Sequence, residues 1–296
     1  MSTETRGLYY RLRALPENIK AILVASPPII YLATFFLIPL LSILNYSIRV
    51  QRELQITNQV TFDHYVQVLT SSTFRGALIY SARISFITTA ITLVVGLPVA
   101  YYIAVKASQR FQNILLFLII APLWINFFVR AYAIIQIGGP RGLINGLLIT
   151  LGLIDSPIQW LIYSQPAVIF GLTQLWLPLM VLPIYATLQQ MERTWLEAAR
   201  DLGAGPLRVH WEVTLRAGLP GMILGGLFVF LLSLGNQAVP RILGGAKNTT
   251  YAETILLQLS GSVNWPVASA ASAVMMAFVV IVLLGVFTLF DMEELF

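Results

Sequence analysis

The side chains that most often carry out catalysis or bind metal ions are scarce in this chain of 296 residues. It has no cysteine and two histidines, His64 and His210. The absence of cysteine excludes thiolate nucleophiles, disulfides and cysteine-ligated metals, and two histidines do not make the usual histidine-rich metal sites. The phosphate-binding pattern G-x-x-x-x-G-K-[ST] does not occur either. We therefore expect no catalytic residue, no metal site and no bound cofactor on this chain.

Residues 192–217 form a polar stretch whose residue types and spacing suit docking to another protein. Glu197 and Asp201 stand four residues apart, so that they would share one face of a helix and could meet basic groups. Ala198 and Ala199 are small and would allow close approach to the wall of a cleft. At this point the alternative stays open that the stretch is a solvated connector and that Glu197 only caps a helix.

The same stretch has helix start and stop signals. Thr194 and Glu197 have the spacing of a capping box, and Gly203 suits the left-handed conformation that ends a helix. Pro206 can begin a second helix, in which apolar residues recur at every fourth position, namely Leu207, Trp211 and Leu215. The sequence thus predicts a helix, a glycine turn and a second helix.

Polar and aromatic side chains inside two long apolar runs are the candidates for contacting a solute: Trp124, Asn126, Arg130, Tyr132, Gln174 and Trp176. Aromatic faces attract cations by about 0.5 to 2 kcal/mol per contact, and the amide side chains would guide polar groups. Aromatic residues in membranes more often serve packing, and both interpretations stay open.

Arg130 lies in one of these apolar runs, where a charge is costly and normally faces protein or water. It could repel a cation or attract an anion. The structural interpretation, which we prefer, pairs it with Asp155 or Glu253.

The elements that must position these residues are membrane helices. Hydrophobic residues make up 57% of the chain and charged residues 10%, whereas a soluble domain has about 25% charged residues. Apolar runs of about 20 residues predict transmembrane helices, and we place them at residues 20–48, 76–105, 113–137, 165–191, 218–236 and 267–290. We expect an all-α integral membrane protein with six transmembrane helices in a single domain, residues 1–296.

The small residues and connections give further expectations. Gly221, Gly225, Gly226 and the small residues at 268–273 predict close helix contact, either within the chain or against a partner. Residues 138–165 hold turn residues around apolar stretches and suit short re-entrant or interfacial helices.

Basic residues indicate the orientation. Arg6, Arg11, Arg13 and Lys20 lie at the N-terminal end, and the segments that would share their side carry more Lys and Arg than the opposite segments. By the positive-inside rule, both termini and residues 192–217 are expected in the cytoplasm. The two short helices of residues 192–217 would then lie beneath the membrane.

The stretch EAARDLG, residues 197–203, resembles the EAA loop of ABC importer permeases of the binding-protein-dependent (type I importer) family. Glu197, Ala198, Ala199 and Gly203 match that pattern. Arg216 stands where the family usually has proline, which leaves open how the second helix ends and enters the fifth membrane helix.

Other stretches are similar to the spermidine/putrescine branch of that family, among them APLWINFFVRAYA at 121–133, LPLMVLPIYATLQQM at 177–191 and NWPVASAAS at 264–272. The resemblance implies a MetI-like permease in a bacterial inner membrane. Its implied partners are a second homologous permease, a dimeric ATP-binding subunit that holds ATP and Mg²⁺, and an external substrate-binding protein. It also implies that residues 197–203 couple this chain to the ATP-binding subunit, and that the solute is a polyamine. Related permeases carry iron, opines or other solutes.

Other function classes fit the sequence less well. An ion-coupled secondary transporter is expected to show midplane carboxylates and an inverted repeat, and neither is evident. A membrane-embedded enzyme would lack candidate catalytic groups. A structural membrane protein would not require the EAA pattern.

Overall fold

The structure, a computed structural model, describes residues 16–245 and 249–290. Five helical segments are long and apolar enough to cross a membrane: Ala25–Tyr46, Ser72–Lys106, Gln159–Gln189, His210–Leu234 and Trp265–Leu289. A further pair, Gln109–Trp124 and Phe127–Thr150, passes the same test with a bend of 96°. Counting the bent pair once, the described residues contain the six predicted spans. Arg6, Arg11 and Arg13, which carry much of the orientation argument, lie outside the described residues.

The helices and strands are numbered here in chain order. They are α1 (Glu17–Leu32), α2 (Ile38–Tyr46), β1 (Arg49–Arg52), β2 (Gln55–Val60), α3 (Asp63–Thr70), α4 (Ser72–Tyr101), α5 (Gln109–Ile120), α6 (Phe127–Gly138), α7 (Leu143–Thr150), α8 (Gln165–Gln189), α9 (Arg193–Asp201), α10 (Pro206–Val209), α11 (Leu215–Leu234), α12 (Ala238–Leu243), α13 (Tyr251–Ser260) and α14 (Trp265–Leu289). Short π-helical turns at Ala33–Leu37, Tyr102–Lys106 and His210–Thr214 extend or join these helices.

The helix α8 is central, and it packs against both α4 and α11. Two apolar clusters lie along it. The cluster at its C-terminal half contains Ala100, Ile103, Met180, Val181, Ile184, Leu188 and Val229. The cluster at its N-terminal half contains Tyr80, Ile84, Ala167, Val168, Leu172, Leu175, Val239 and Leu243.

Glycines allow α11 to approach α8 at backbone contact. A Cβ atom at Gly221 would lie 2.5 Å from the carbonyl oxygen of Pro183, and one at Gly225 would lie 3.1 Å from the Cα of Met180. In α14, the small residues 268–271 are buried, and part of this run packs with residues of α3, α4 and α13. The small residues predicted to allow close contact therefore pack within this chain.

The third span is broken, and the prediction of one helix over 113–137 is corrected. Pro122 lies in a 3₁₀ turn that ends α5, and Ile125 is extended. The Asn126 side chain then starts α6 by accepting the N–H of Phe128 (2.9 Å). The α5 half contacts the C-terminal cluster of α8, whereas the α6 half contacts the N-terminal cluster. The two halves of this span therefore belong to different parts of the core.

A hairpin of α6 and α7 occupies the region for which the sequence predicts short re-entrant or interfacial helices. The fully buried side chain of Asn145 holds this hairpin together. The Asn145 amide donates to the carbonyl oxygen of Gly139 (2.9 Å), and its Oδ1 accepts the N–H of Ile158 (2.7 Å). These bonds hold the turn before α7 and the chain after α7 together.

A short antiparallel pair, β1 with β2, is an addition to the predicted helices. Gln51 of β1 donates to the carbonyl oxygen of Val263 (2.8 Å) and accepts the N–H of Trp265 (3.0 Å). This connection fixes the strand pair to the start of α14.

Candidate coupling segment and solute path

The helix α9 begins one residue before the position that the sequence predicts as its cap. Glu192 takes the N-cap position, and its side chain makes no capping hydrogen bond. The hydroxyl of Thr194 donates to the carboxylate of Glu192 (Oγ1 to Oε2, 3.1 Å). The predicted capping box of Thr194 and Glu197 is therefore wrong, because Thr194 already lies in the first turn.

The end of α9 is as predicted. Gly203 adopts a φ of +81°, in the left-handed region. Its N–H donates to the carbonyl oxygen of Arg200 (2.8 Å), and the N–H of Ala204 donates to that of Ala199 (3.0 Å). This pair of bonds is a Schellman motif. A Cβ at Gly203 would meet nothing within 4 Å, so the backbone conformation, not packing, requires glycine here.

One face of α9 is anchored to the bundle. Leu196 is 5% exposed and packs with Met191 and Val209. Ala199 of α9 and Ala217 of α11 border the same cluster. Because Ala217 also contacts the C-terminal cluster of α8, apolar packing runs without interruption from α9 into the core.

The other side of α9 carries an apolar stripe that the described residues leave uncovered. Trp195, Ala198 and Leu202 recur at helical spacing and are all exposed, Leu202 to 88%. We call these three residues the docking stripe. Glu197 and Asp201 are exposed on the same helix, and neither forms an ion pair with another described residue.

The second predicted helix does not end beneath the membrane. From Pro206 the chain stays helical through α10 and the π-helical turn His210–Thr214 into α11, as far as Leu234. Arg216 is exposed within α11. Unlike the proline that the family usually has here, arginine keeps its backbone N–H, so the helix can continue.

The surface of this second helix is polar and aromatic. The Nε of Arg208 donates to Oε1 of Glu212 at 2.8 Å, and this hydrogen bond raises the pKa of the Arg208 guanidinium. Trp211 is 67% exposed. The side chain of Leu207, predicted on the same face as Trp211, lies outside the described residues.

Two of the predicted path residues come together. Arg130 of α6 and Gln174 of α8 line one small cavity of about 10 Å³, which Gly171 also borders. The Nε and Nη1 atoms of Arg130 are buried and have no hydrogen-bond partner in the part of the chain that the structure describes. The predicted pairing of Arg130 with Asp155 or Glu253 is wrong, because neither carboxylate forms an ion pair there.

The other four path residues are dispersed. Trp124 is 76% exposed at the bend of the third span, next to Asn126, whose side chain caps α6. Tyr132 lines a different groove, of about 540 Å³, with Phe128, Tyr163, Gln237 and Arg241 among its walls. Trp176 borders both clusters of α8. Within this one chain, the six residues therefore do not form a continuous path.

Sequence reasoning missed the polar contacts between spans, of which one involves a buried amide. The amide of Gln112, a buried residue of α5, donates to the hydroxyl of Tyr185 in α8 at 2.8 Å. No spacing within a helix relates these residues, because they are 73 positions apart. Across residues 16–245 and 249–290, no group of three or more His, Asp or Glu side chains could hold a metal ion.

Comparison with known proteins decides the family. Residues 96–292 match the family described as "Binding-protein-dependent transport system inner membrane component". The spermidine/putrescine transport system permease protein PotB of Escherichia coli (strain K12) is 34% identical over 243 residues, covering 82% of this chain and 87% of the relative. The chain belongs to this family. It is therefore a multi-pass inner-membrane permease of a binding-protein-dependent ABC importer, as the EAA pattern suggested.

Other relatives of this permease have different names. The putative 2-aminoethylphosphonate transport system permease protein PhnU of Salmonella typhimurium is 29% identical over 277 residues, or 92% of each chain. In fold, this permease is similar to a chain of a bacterial ABC transporter involved in the import of the acidic polysaccharide alginate (TM-score 0.73, 16% identity, 92% of this chain and 96% of that chain). The type I importer architecture predicted from the sequence is thus confirmed.

Proposed function

We propose that this permease conducts a polyamine of the spermidine or putrescine type, delivered by an external binding protein. The observation that carries this proposal is the similarity to PotB over 82% of the chain. The aromatic side chains of Trp124 and Tyr132, exposed by 76% and 60%, offer faces for ammonium groups. A second homologous permease would complete the path, because the predicted path residues of this chain are dispersed.

We further propose that α9 is the coupling helix, which docks on a dimeric ATP-binding subunit that holds ATP and Mg²⁺. Support comes from the docking stripe, which is an uncovered apolar surface beside the exposed Glu197 and Asp201. The helix that carries it is too short to span a membrane. Glu197, Ala198, Ala199, Asp201 and Gly203 are the residues assigned to this contact. Docking of α9 on that subunit would require the predicted orientation, in which α9 and both termini are cytoplasmic.

The proposed cycle is alternating access. ATP closes the partner dimer, α9 moves with it, and the two permeases open toward the loaded binding protein; hydrolysis returns them to the inward-facing state. Each partner drives the change by binding one state more tightly than the other. The continuous packing from Leu196 through Ala217 to the α8 core provides a physical route for this motion.

A second candidate solute is a small zwitterion with a phosphonate group. Arg130 supports it, because its guanidinium has buried, unpartnered nitrogens. The described spans contain one carboxylate, Glu212 at the start of His210–Leu234, and it is already paired with Arg208. A buried cation of this kind normally finds an anionic partner. The relation to PhnU points to the same class of solute.

The substrate can be tested with the cognate binding protein and vesicles that contain the assembled importer. We expect spermidine or putrescine to raise the melting temperature of the binding protein and to be taken up when ATP is present. Vesicles without the binding protein are the control. If 2-aminoethylphosphonate bound and polyamines did not, the second candidate would replace the first; binding of neither would refute both.

A further inference from the structure

An apolar pocket between the α6–α7 hairpin and α8 has no role in the proposed function. Its volume is about 290 Å³, and nine residues line it, among them Ile137, Gly138, Ile144, Trp160 and Phe170. None of the nine has a charged side chain, and the indole nitrogen of Trp160 is the one polar side-chain atom among them. A polycation would find no counter-charge in this pocket.

The pocket lies between two apolar segments of the permease. Every lining residue belongs to Phe127–Thr150, one half of the bent pair, or to Gln159–Gln189, a segment long and apolar enough to cross a bilayer. Rim residues Ile137, Trp160 and Phe170 are exposed, the last two to about 60%. The hairpin side of the pocket is held in place by the buried Asn145. The pocket is therefore preformed.

The chemistry of the walls selects the occupant. Cavities lined by apolar groups do not hold water well, because water needs two to four polar partners. Bilayer hydrocarbon is the apolar medium that surrounds these segments. Arg141 adds a second observation: it lies between Gly138 and Ile144 in the chain, is exposed, and forms no ion pair with any described residue. Although Arg141 does not line the pocket, its guanidinium suits the phosphate group of a lipid.

We propose that this pocket binds one acyl chain of a membrane phospholipid, with the lipid phosphate beside Arg141. The ligand is thus a bilayer lipid and not the transported solute. By filling the space between the α6–α7 hairpin and α8, the acyl chain would support the α6 half of the broken third span.

The test uses the complete importer in lipid nanodiscs containing phosphatidylglycerol with a photoreactive diazirine near the end of one acyl chain. We expect the label on peptides of α7 and the start of α8. Ile144→Trp, which fills the pocket from α7, should reduce this labelling several-fold. Leu147→Trp is the matched control, because Leu147 is an exposed residue of the same helix that does not line the pocket. Equal labelling of both variants and the wild type would refute the site.

Two further arms complete the test. Arg141→Gln should lower labelling at these peptides, whereas Arg52→Gln, in the strand pair, should not. A photoreactive amino acid in place of Ile137 should crosslink to lipid. Crosslinking to the second permease instead would overturn the proposal, because a protein surface would then fill the pocket. These readouts do not depend on uptake, so they remain valid whichever solute the importer carries.

Discussion

Gly203 is the residue at which backbone geometry and the proposed coupling meet. Replacing it with valine places a β-branched residue at φ +81°, which costs about 1 to 2 kcal/mol and shifts the end of α9. We expect G203V to insert in the membrane normally, to retain less ATP-binding subunit on purification, and to lose most ATP-driven uptake.

The matched control for this change is Gly205→Val. Gly205 is exposed, has no positive φ, and would have nothing within 4 Å of an added Cβ. It should behave like the wild type in both assays. Wild-type uptake by G203V would contradict the coupling role of this turn.

The docking stripe makes a second prediction at single-residue scale. Leu202 is 88% exposed, so Leu202→Lys should not affect the fold of the permease. If docking buries Leu202, the change removes about 1.5 to 3 kcal/mol of binding free energy, which is about tenfold or more in affinity. The amount of ATP-binding subunit that co-purifies with the permease measures this loss of affinity. Leu54→Lys, at another strongly exposed leucine (75%) outside α9, should retain that subunit fully. Equal retention by L202K would count against docking at the stripe.

Local signals at single residues are readable from the sequence, and tertiary partners are not. The left-handed turn at Gly203 was predictable because it depends on the four or five residues before it. The Thr194 capping box failed because Glu192, two residues earlier, offers a competing start. The pairing of Arg130 with Asp155 or Glu253 failed because it required knowing how three separate elements are arranged in space.

At the scale of elements, the contact of α11 with α8 depends on glycine. A Cβ at Gly221 would lie 2.5 Å from the carbonyl oxygen of Pro183. This oxygen belongs to the backbone of α8, which cannot move away by a side-chain rotation. Gly221→Ala should therefore destabilise the permease by about 1 to 3 kcal/mol. Thermal unfolding in detergent measures this. Gly226→Ala, one helical turn and a residue further on, has 3.7 Å to its nearest atom and should be nearly neutral; similar melting temperatures for both variants would contradict the close contact.

The number and order of membrane helices followed from the apolar runs, but their interruptions did not. The bend between α5 and α6 depends on Pro122 together with the cap at Asn126. The hydropathy of residues 113–137 contains no information about either feature. The helical continuity from α10 to α11 was missed for the opposite reason. Polar residues before the fifth span suggested a separate helix, although the backbone carries on through a π-helical turn.

At the scale of the whole importer, replacing Arg130 distinguishes between the two candidate solutes. If Arg130 lies on the path that two permeases would form, its guanidinium repels a polycation and attracts a phosphonate. If the solute is a polyamine, Arg130→Gln should leave uptake unchanged or increase it; if it is an aminoalkylphosphonate, uptake should fall several-fold or more. Labelled solute uptake at two ionic strengths checks this. Arg83→Gln is the control, since Arg83 already has a partner in Gln165 (3.1 Å).

The uninterrupted helix from Pro206 to Leu234 has a mechanical consequence for the molecule. A flexible loop between α9 and the fifth span would absorb a displacement of the docking helix, but only the turn at residues 202–205 separates α9 from this helix. If α9 docks as proposed, its displacement would therefore reach the start of the fifth span without being absorbed by a long loop. Under the same proposal, the fifth span would act as a lever, with its short arm at the ATP-binding subunit and its long arm at the far side of the membrane.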